Sequence, residues 1–402
     1  MKFVCFAHSL ASCWNHGNAH FLRGVSRELL ARGHDLQSFE PPDGWSRAGA
    51  IGERGAAALD GFSAAFPELA PHARFIGPDL DVMLGGADVV LVHEWNEPAL
   101  IAAIGRRRRQ GGRFLLLFHD THHRAVSDPA AIARLDLSGY DGVLAFGNAL
   151  AEVYRRRGWG RRVFVWHEAA DTRLFRPPVS PVARAGAVWI GNWGDEERSQ
   201  ELRDYLLDPI AVLGLTCDVY GVRYPGAALA ALTAAGAQYR GWLPNAEAPA
   251  VLTRHLLTVH VPRRFYAAQL PGIPTIRVFE ALACGLPLVS APWRDDEGLF
   301  RVGRDFLLAR SPDEMCEQMR AVANDPGLRR ALAADGLATI AARHTCAHRV
   351  DELLEIIARL GAPAGRTPYP SPPARRGEIF YSRCGRGSGG GVVADSGIRP
   401  AR

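Results

Sequence analysis

Residues 270–290, Leu-Pro-Gly-Ile-Pro-Thr-Ile-Arg-Val-Phe-Glu-Ala-Leu-Ala-Cys-Gly-Leu-Pro-Leu-Val-Ser, set a Gly/Pro loop ahead of a short apolar helix. Backbone amides in such a loop, with the unpaired N–H groups of a helix start, attract anions and suit a diphosphate. Gly272 and Ile273 lie in the loop, Thr275 is placed to cap the helix and Gly285 to end it. Glu280 falls just over one turn inside, where a carboxylate either accepts both hydroxyls of a ribose or sits solvated near the dipole. Arg263 and Arg264 precede the loop and follow a strand pattern, which brings two phosphate-matching guanidiniums to the same edge. Further upstream, Trp189–Arg198 reads as a strand, a Gly-bearing turn and a helix start, with Gly191 and Asn192 offering amides. Arg198 is there either a phosphate ligand or a surface residue paired with Glu197 or Glu201.

A second set of polar residues gathers in the first half. Ser9–His20 holds Trp14, Asn15, His16 and Asn18 in a small-residue loop before a helix. An imidazole there is poised to take a hydroxyl proton, so His16 is a candidate acceptor-side base. The alternative makes Asn18 a helix cap and Trp14 a packing residue. Phe118-His-Asp-Thr-His-His-Arg124 directly follows a strand pattern, which puts His119 at a strand's carboxyl end with Asp120 able to orient an imidazole. His119, Asp120, His122 and His123 are also possible metal ligands, although their spacing lacks a clear partner set. His93 and Glu94 likewise end a strand and face an acceptor pocket, or else open a helix at Asn96-Glu97-Pro98. His167, Glu168 and Asp171 end the last strand of this half.

The elements that must position these residues alternate from end to end. In the first half, strands are expected at Lys2–Ala7, Asp35–Phe39, Asp88–His93, Arg113–Phe118, Gly142–Phe146 and Val163–His167, with helices between them such as Phe21–Arg32. Three prolines at 177, 178 and 181 then interrupt regular structure. The alternation restarts with strands at Ala187–Gly191, Thr216–Tyr220, Gln238–Gly241, Leu257–Val261, Pro287–Ser290 and Phe306–Leu308. Helices are expected near Glu196–Leu213, Thr275–Cys284, Pro312–Asn324, Gly327–His344 and Cys346–Leu360. The reading is α/β, two Rossmann-like doubly wound domains with a ligand between them at the carboxyl ends of the strands. The domains are residues 1–172 and 187–343, with a linker at 173–186, a last helix at 344–360 and a Gly/Pro-rich disordered tail at 361–402.

The run Arg277-Val-Phe-Glu-Ala-Leu-Ala-Cys-Gly-Leu-Pro-Leu-Val289 resembles the donor-binding helix of group 1 (family 4-like) glycosyltransferases of the GT-B fold. The preceding Pro-Gly-x-Pro-Thr-x-Arg-x-Phe-Glu-Ala pattern is similar to the spore-maturation-type branch. The resemblance is specific over about 25 residues and looser over 1–360. It implies two facing Rossmann-like domains, a nucleotide-sugar donor and a C-terminal helix crossing back to the first domain. It also implies that Glu280 binds the ribose, that His119 touches the donor sugar, that Trp242 stacks on the nucleobase and that Arg198 meets the diphosphate. A second family glutamate, eight positions before the first, is replaced by Gly272, so the catalytic role of that partner does not carry over.

Charge narrows the partners. The formal net charge is +5, yet residues 361–402 hold seven arginines against Glu378 and Asp395, so residues 1–360 sum to zero. A neutral body argues against a nucleic-acid partner, and Arg106–Arg109 reads as a solvated helix end favoured by the dipole. Seven scattered cysteines form no C-x-x-C pair, and no apolar run reaches membrane-span length, which points to the cytoplasm. No G-x-G-x-x-G follows the first strand, which disfavours a dinucleotide oxidoreductase. The expected activity is transfer of a sugar from a nucleoside-diphosphate sugar to a glycan, lipid or protein hydroxyl, with retention, without a metal and without a further cofactor. The alternatives are a nucleotide-sugar epimerase of the same fold and a non-catalytic nucleotide-sugar-binding or coat-associated protein.

Overall fold

The computed structural model describes residues 1–194 and 196–361. The expected disordered tail lies, from residue 362 onward, outside the described residues.

Seven strands build the first sheet: β1 (Lys2–Phe6), β2 (Asp35–Glu40), β3 (Ala73–Phe75), β4 (Val89–His93), β5 (Leu115–Asp120), β6 (Gly142–Ala145) and β7 (Val163–Val165). Six build the second: β8 (Ala187–Ile190), β9 (Cys217–Tyr220), β10 (Ala237–Tyr239), β11 (Leu257–His260), β12 (Leu288–Ser290) and β13 (Leu307–Leu308). The orders are β3-β2-β1-β4-β5-β6-β7 and β10-β9-β8-β11-β12-β13, with every pairing parallel. All five residues of β4 are buried, as a central parallel strand covered by helices on both faces requires. In each sheet the order reverses beside the first strand, between β1 and β4 and between β8 and β11, which opens a crevice at the carboxyl ends.

Two local differences from the sequence reading have direct causes. The ladder pairs His119 with Leu144 and Asp120 with Ala145, so β5 runs on through both residues rather than stopping at Phe118. The helix expected from Glu196 opens at Ser199 and contains one wider, π-type turn at Arg203–Leu207. That turn lies just before Pro209, which has no N–H to continue the regular ladder.

The two halves are joined twice. The chain leaves the first half after Asp171 and returns at Thr345, where Ala170 and Thr345 form a parallel bridge. The Ala170 amide donates to the His344 carbonyl at 2.9 Å and the Cys346 amide to the Ala170 carbonyl at 3.0 Å. Thr345 caps the last helix, Cys346–Leu360, in a reciprocal box with His348. This helix packs on the Ala19–Ala31 helix of the first half, with Arg32 on Asp351 at 2.5 Å and Trp166 Nε1 donating to the Arg349 carbonyl at 2.8 Å. Gly24 makes the approach possible, because a side chain there would run into Cys346 and Asp171.

Candidate active site

Loops at the carboxyl ends of both sheets enclose a cleft of about 840 Å³. The first half contributes the loop after β1, the start of the Trp45–Arg54 helix, Trp95 after β4, Thr121–Arg124 after β5, Phe146 and Glu168. The second contributes Trp189–Asn192, Glu197, Arg198, Gly221–Arg223, Trp242, Leu243, the stretch around Arg263 and Tyr266, and Thr275–Arg277.

On the second-half side the geometry is that of an anion site. The Ile276–Ala283 helix points its start into the cleft through Thr275, Ile276 and Arg277. Thr275 stands at the cap position, but its side chain makes no capping bond. Arg198 is buried rather than a surface residue, and it pairs with neither Glu197 nor Glu201. Its Nη atoms donate to the carbonyls of Val261 (3.0 Å) and Asn192 (2.8 Å) and to Asn192 Oδ1 (3.0 Å), while Nε has no partner. Burial and then Arg263 lower it to about 10, still charged at neutral pH. Arg263 reaches Glu197 at 2.5 Å and Asn192 Oδ1 at 3.1 Å. Gly191 admits this arrangement, since a Cβ would lie 2.8 Å from the Trp189 ring and 3.3 Å from Arg198. Arg264 does not join the set: it turns outward to Glu201 (2.7 Å) and the Glu196 carbonyl (2.8 Å). Trp242 lines the cleft with Nε1 unpaired and with Arg54 5.1 Å from its ring centre.

Glu280, by contrast, does not line the cleft. It is 1% exposed; Oε1 accepts from His20 Nδ1 at 2.9 Å and Oε2 pairs with Arg277. His20 Nε2 accepts the Asp171 amide at 2.7 Å, which fixes the proton on Nδ1. Burial opposes the charge on Glu280, yet Arg277 and His20 hold its pKa below the ordinary value. Gly272 adopts φ 89°, donates to the Arg294 carbonyl at 2.7 Å and has Glu297 packed over its Cα. Ile273 is buried and its carbonyl accepts from Trp293 Nε1 at 3.2 Å. Neither is part of the cleft wall.

On the first-half side, Trp14, Asn15, His16 and Asn18 all reach the cleft. Asn15, at φ 47°, accepts from Asn192 Nδ2 at 2.9 Å and so bridges the two halves. Asn18 does not cap its helix with its side chain; Nδ2 donates to Glu168 Oε1 at 2.7 Å. Burial, opposed by the Asn18 bond and aided by Glu280 and Glu94, pushes Glu168 up to about 8. His16 is 5% exposed with Nε2 unpaired; burial, then His8, His93 and Arg23, keep it well below the ordinary imidazole value.

His119 and Asp120 lie behind the wall, inside β5. His119 packs edge-on against Trp166 at 4.8 Å. Asp120 accepts from the Tyr154 hydroxyl (2.6 Å) and the His122 amide (3.0 Å), so it orients no imidazole. Burial and Glu94 raise it to about 7. His93 and Glu94 are buried behind the same wall, tied together through Thr121 at 3.2 Å each. Among the described residues, no three of His, Cys, Asp and Glu are grouped to hold a metal ion. His122, His123, His260, Arg277 and Glu168 do line the cleft. The doublet His122-His123 was visible in the sequence as possible metal ligands, whereas nothing local signalled His260.

With this geometry in place, the comparisons identify the frame. Anabaena HepE in complex with UDP and glucose superposes with a TM-score of 0.63 at 15% identity, covering 89% of this chain and 99% of that chain. Sucrose-phosphate synthase from Thermosynechococcus elongatus gives 0.62 at 14%, covering 89% and 98%. T4 phage BGT in complex with its UDP-glucose substrate gives 0.58 at 10%, covering 90% and 100%. The fold is that of the GT-B glycosyltransferases. Residues 199–355 match the family model described as glycosyl transferase-like, a stretch that contains Arg263 and Arg277 of the cleft. A search of curated protein sequences finds no match. Among the described residues, no helix is long and apolar enough to cross a membrane.

Proposed function

We propose that this chain transfers a sugar from a nucleoside-diphosphate sugar, a UDP-sugar foremost, to an acceptor hydroxyl. The observation that carries this is the convergence of Arg198, Arg263, Arg277 and the Ile276–Ala283 helix start on one cleft wall. The diphosphate sits on those guanidiniums and amides, which stabilise the charge developing on the leaving group. The bond from the anomeric carbon to the diphosphate oxygen breaks and a bond to the acceptor oxygen forms. The acceptor's hydroxyl proton passes to His16 Nε2, which is uncharged and has no competing partner. The nucleoside diphosphate departs. Trp242 flanks the nucleobase. Glu280 takes the ribose hydroxyls only when His20 or Arg277 gives way.

Retention and metal independence, membership of the spore-maturation-type branch and a cytoplasmic location belong to the same reading and rest on the resemblance of residues 270–290 and on composition. A thermal-shift panel of UDP, GDP, ADP and their sugars tests donor binding, since ligand at a hundredfold over its Kd stabilises by roughly 2.7 kcal/mol. One nucleotide that raises the melting temperature supports the reading; a flat panel overturns it. Product analysis with and without acceptor then separates transfer from epimerisation.

A further inference from the structure

Three tryptophans from three different elements stand on the first-half wall: Trp14 after β1, Trp45 at the start of its helix and Trp95 after β4. Their rings form an edge-to-face row, Trp14 to Trp45 at 6.3 Å and Trp45 to Trp95 at 6.2 Å. Each is held in place. His8 stacks on Trp45 at 4.1 Å, Trp14 Nε1 donates to Glu53 at 2.7 Å, and the Arg124 guanidinium lies 4.0 Å from the Trp95 ring centre. Trp45 nevertheless stays 40% exposed. On the same wall lie buried polar atoms with no hydrogen-bond partner: Nε2 of His16, Nδ1 of His122 and Nε of Arg124.

This combination selects among acceptor chemistries. An acyl chain would cover the rings but leave three buried polar atoms unpaired, each costing about 1–3 kcal/mol. A peptide added as a strand needs an open sheet edge, whereas β1, β4 and β5 are each paired on both sides. A pyranose has C–H faces that lie on an indole and a rim of hydroxyls that both donate and accept.

We propose that the acceptor bound on this wall is a pyranose unit of a saccharide, laid on Trp45 with hydroxyls turned to His16 and His122. The proposal rests on the glycosyl-transfer reading above. The test is saturation-transfer NMR on the full chain, with a UDP, GDP and ADP mixture present and methyl glucoside, maltose, cellobiose and chitobiose as probes. Ring C–H protons of at least one saccharide are expected to receive saturation. That signal should fall roughly fivefold in Trp45→Ala, the size of one aromatic contact, and return in Trp45→Tyr. Nucleotide signal without any saccharide signal overturns the acceptor proposal alone. Absence of nucleotide signal overturns the reading beneath it. Saccharide signal that survives Trp45→Ala unchanged, or, with octyl glucoside as a further probe, saturation of its alkyl-chain protons instead of its ring protons, overturns the proposal as well.

Discussion

The two walls of the cleft use burial in opposite ways. On the first-half wall, His16, His122 and His123 are all driven below the ordinary imidazole value by desolvation and then by cationic or imidazole neighbours, while Glu168 is driven up. Apart from Arg124, whose guanidinium lies over Trp95, the titratable groups of that wall are uncharged near pH 7, and the wall is rich in indoles. On the facing wall, Arg198 is as deeply buried yet remains a cation at about 10, because guanidinium starts so far above neutrality. Three imidazoles, His16, His122 and His123, therefore stand opposite the Arg198, Arg263 and Arg277 set, with Arg124 and His260 the exceptions on either side. Fixed charge for a phosphate and exchangeable protons for a hydroxyl occupy opposite sides of one space.

The largest expected effect tests the proton-handling wall. His16→Ala should lower kcat by about 10²–10⁴, the range for loss of a general base, with nucleoside diphosphate affinity held. The acid limb of wild-type kcat/KM should be centred well below pH 6.5, because a depressed imidazole takes up its proton only there. An acid limb centred at or above 6.5 would remove His16 from the role. Next, Arg263→Ala should weaken nucleoside diphosphate binding by about thirtyfold to hundredfold in calorimetry, with the larger loss at low salt. If His16→Ala weakened nucleotide binding more than Arg263→Ala did, the division between the walls would fail.

A smaller effect sharpens the neutrality of the first wall. Glu168 keeps its proton in the folded chain up to about pH 8, whereas the unfolded chain loses it near 4.5. Its stabilising contribution is therefore complete below pH 4.5 and is lost as pH rises through about 8. Glu168→Gln should match wild type near pH 4.5 and exceed it by roughly 4 kcal/mol at pH 8, measured by thermal denaturation across that range. Parallel pH curves for the two proteins would show that Glu168 is ionised in the cleft.

The fold was legible because central parallel strands must be apolar on both faces, and runs such as Val89–Val92 and Leu115–Phe118 have no other use. β3 escaped notice since Ala-Arg-Phe is a three-residue edge strand with no such run. At the site, local spacing located the loops but not the direction of individual side chains. Arg263 and Arg264 are adjacent, and one backbone step turns the second away from the cleft to Glu201. Strand end residues were also misplaced: His119 and Asp120 look like loop residues by type, yet the ladder with β6 holds them inside the sheet. The withdrawal of Glu280 depends on His20, 260 positions away in sequence, a separation that no local pattern reports.

The paired crossing at Ala170 and Thr345 has a mechanical consequence. Two connections that ran over opposite ends of the molecule would lock the halves together, and a single one would let them swivel freely. Two lying side by side and hydrogen-bonded to each other put both covalent links at one edge, the arrangement that permits opening about a single axis rather than sliding. Glu280 sits next to that edge, through His20 and the Asp171 amide, and a group at the pivot travels little whatever the opening angle. The Asn15–Asn192 amide bridge is one of several ties across the cleft, with Trp242 N on Glu53 and Asn148 on Glu297, that any opening about this edge has to break.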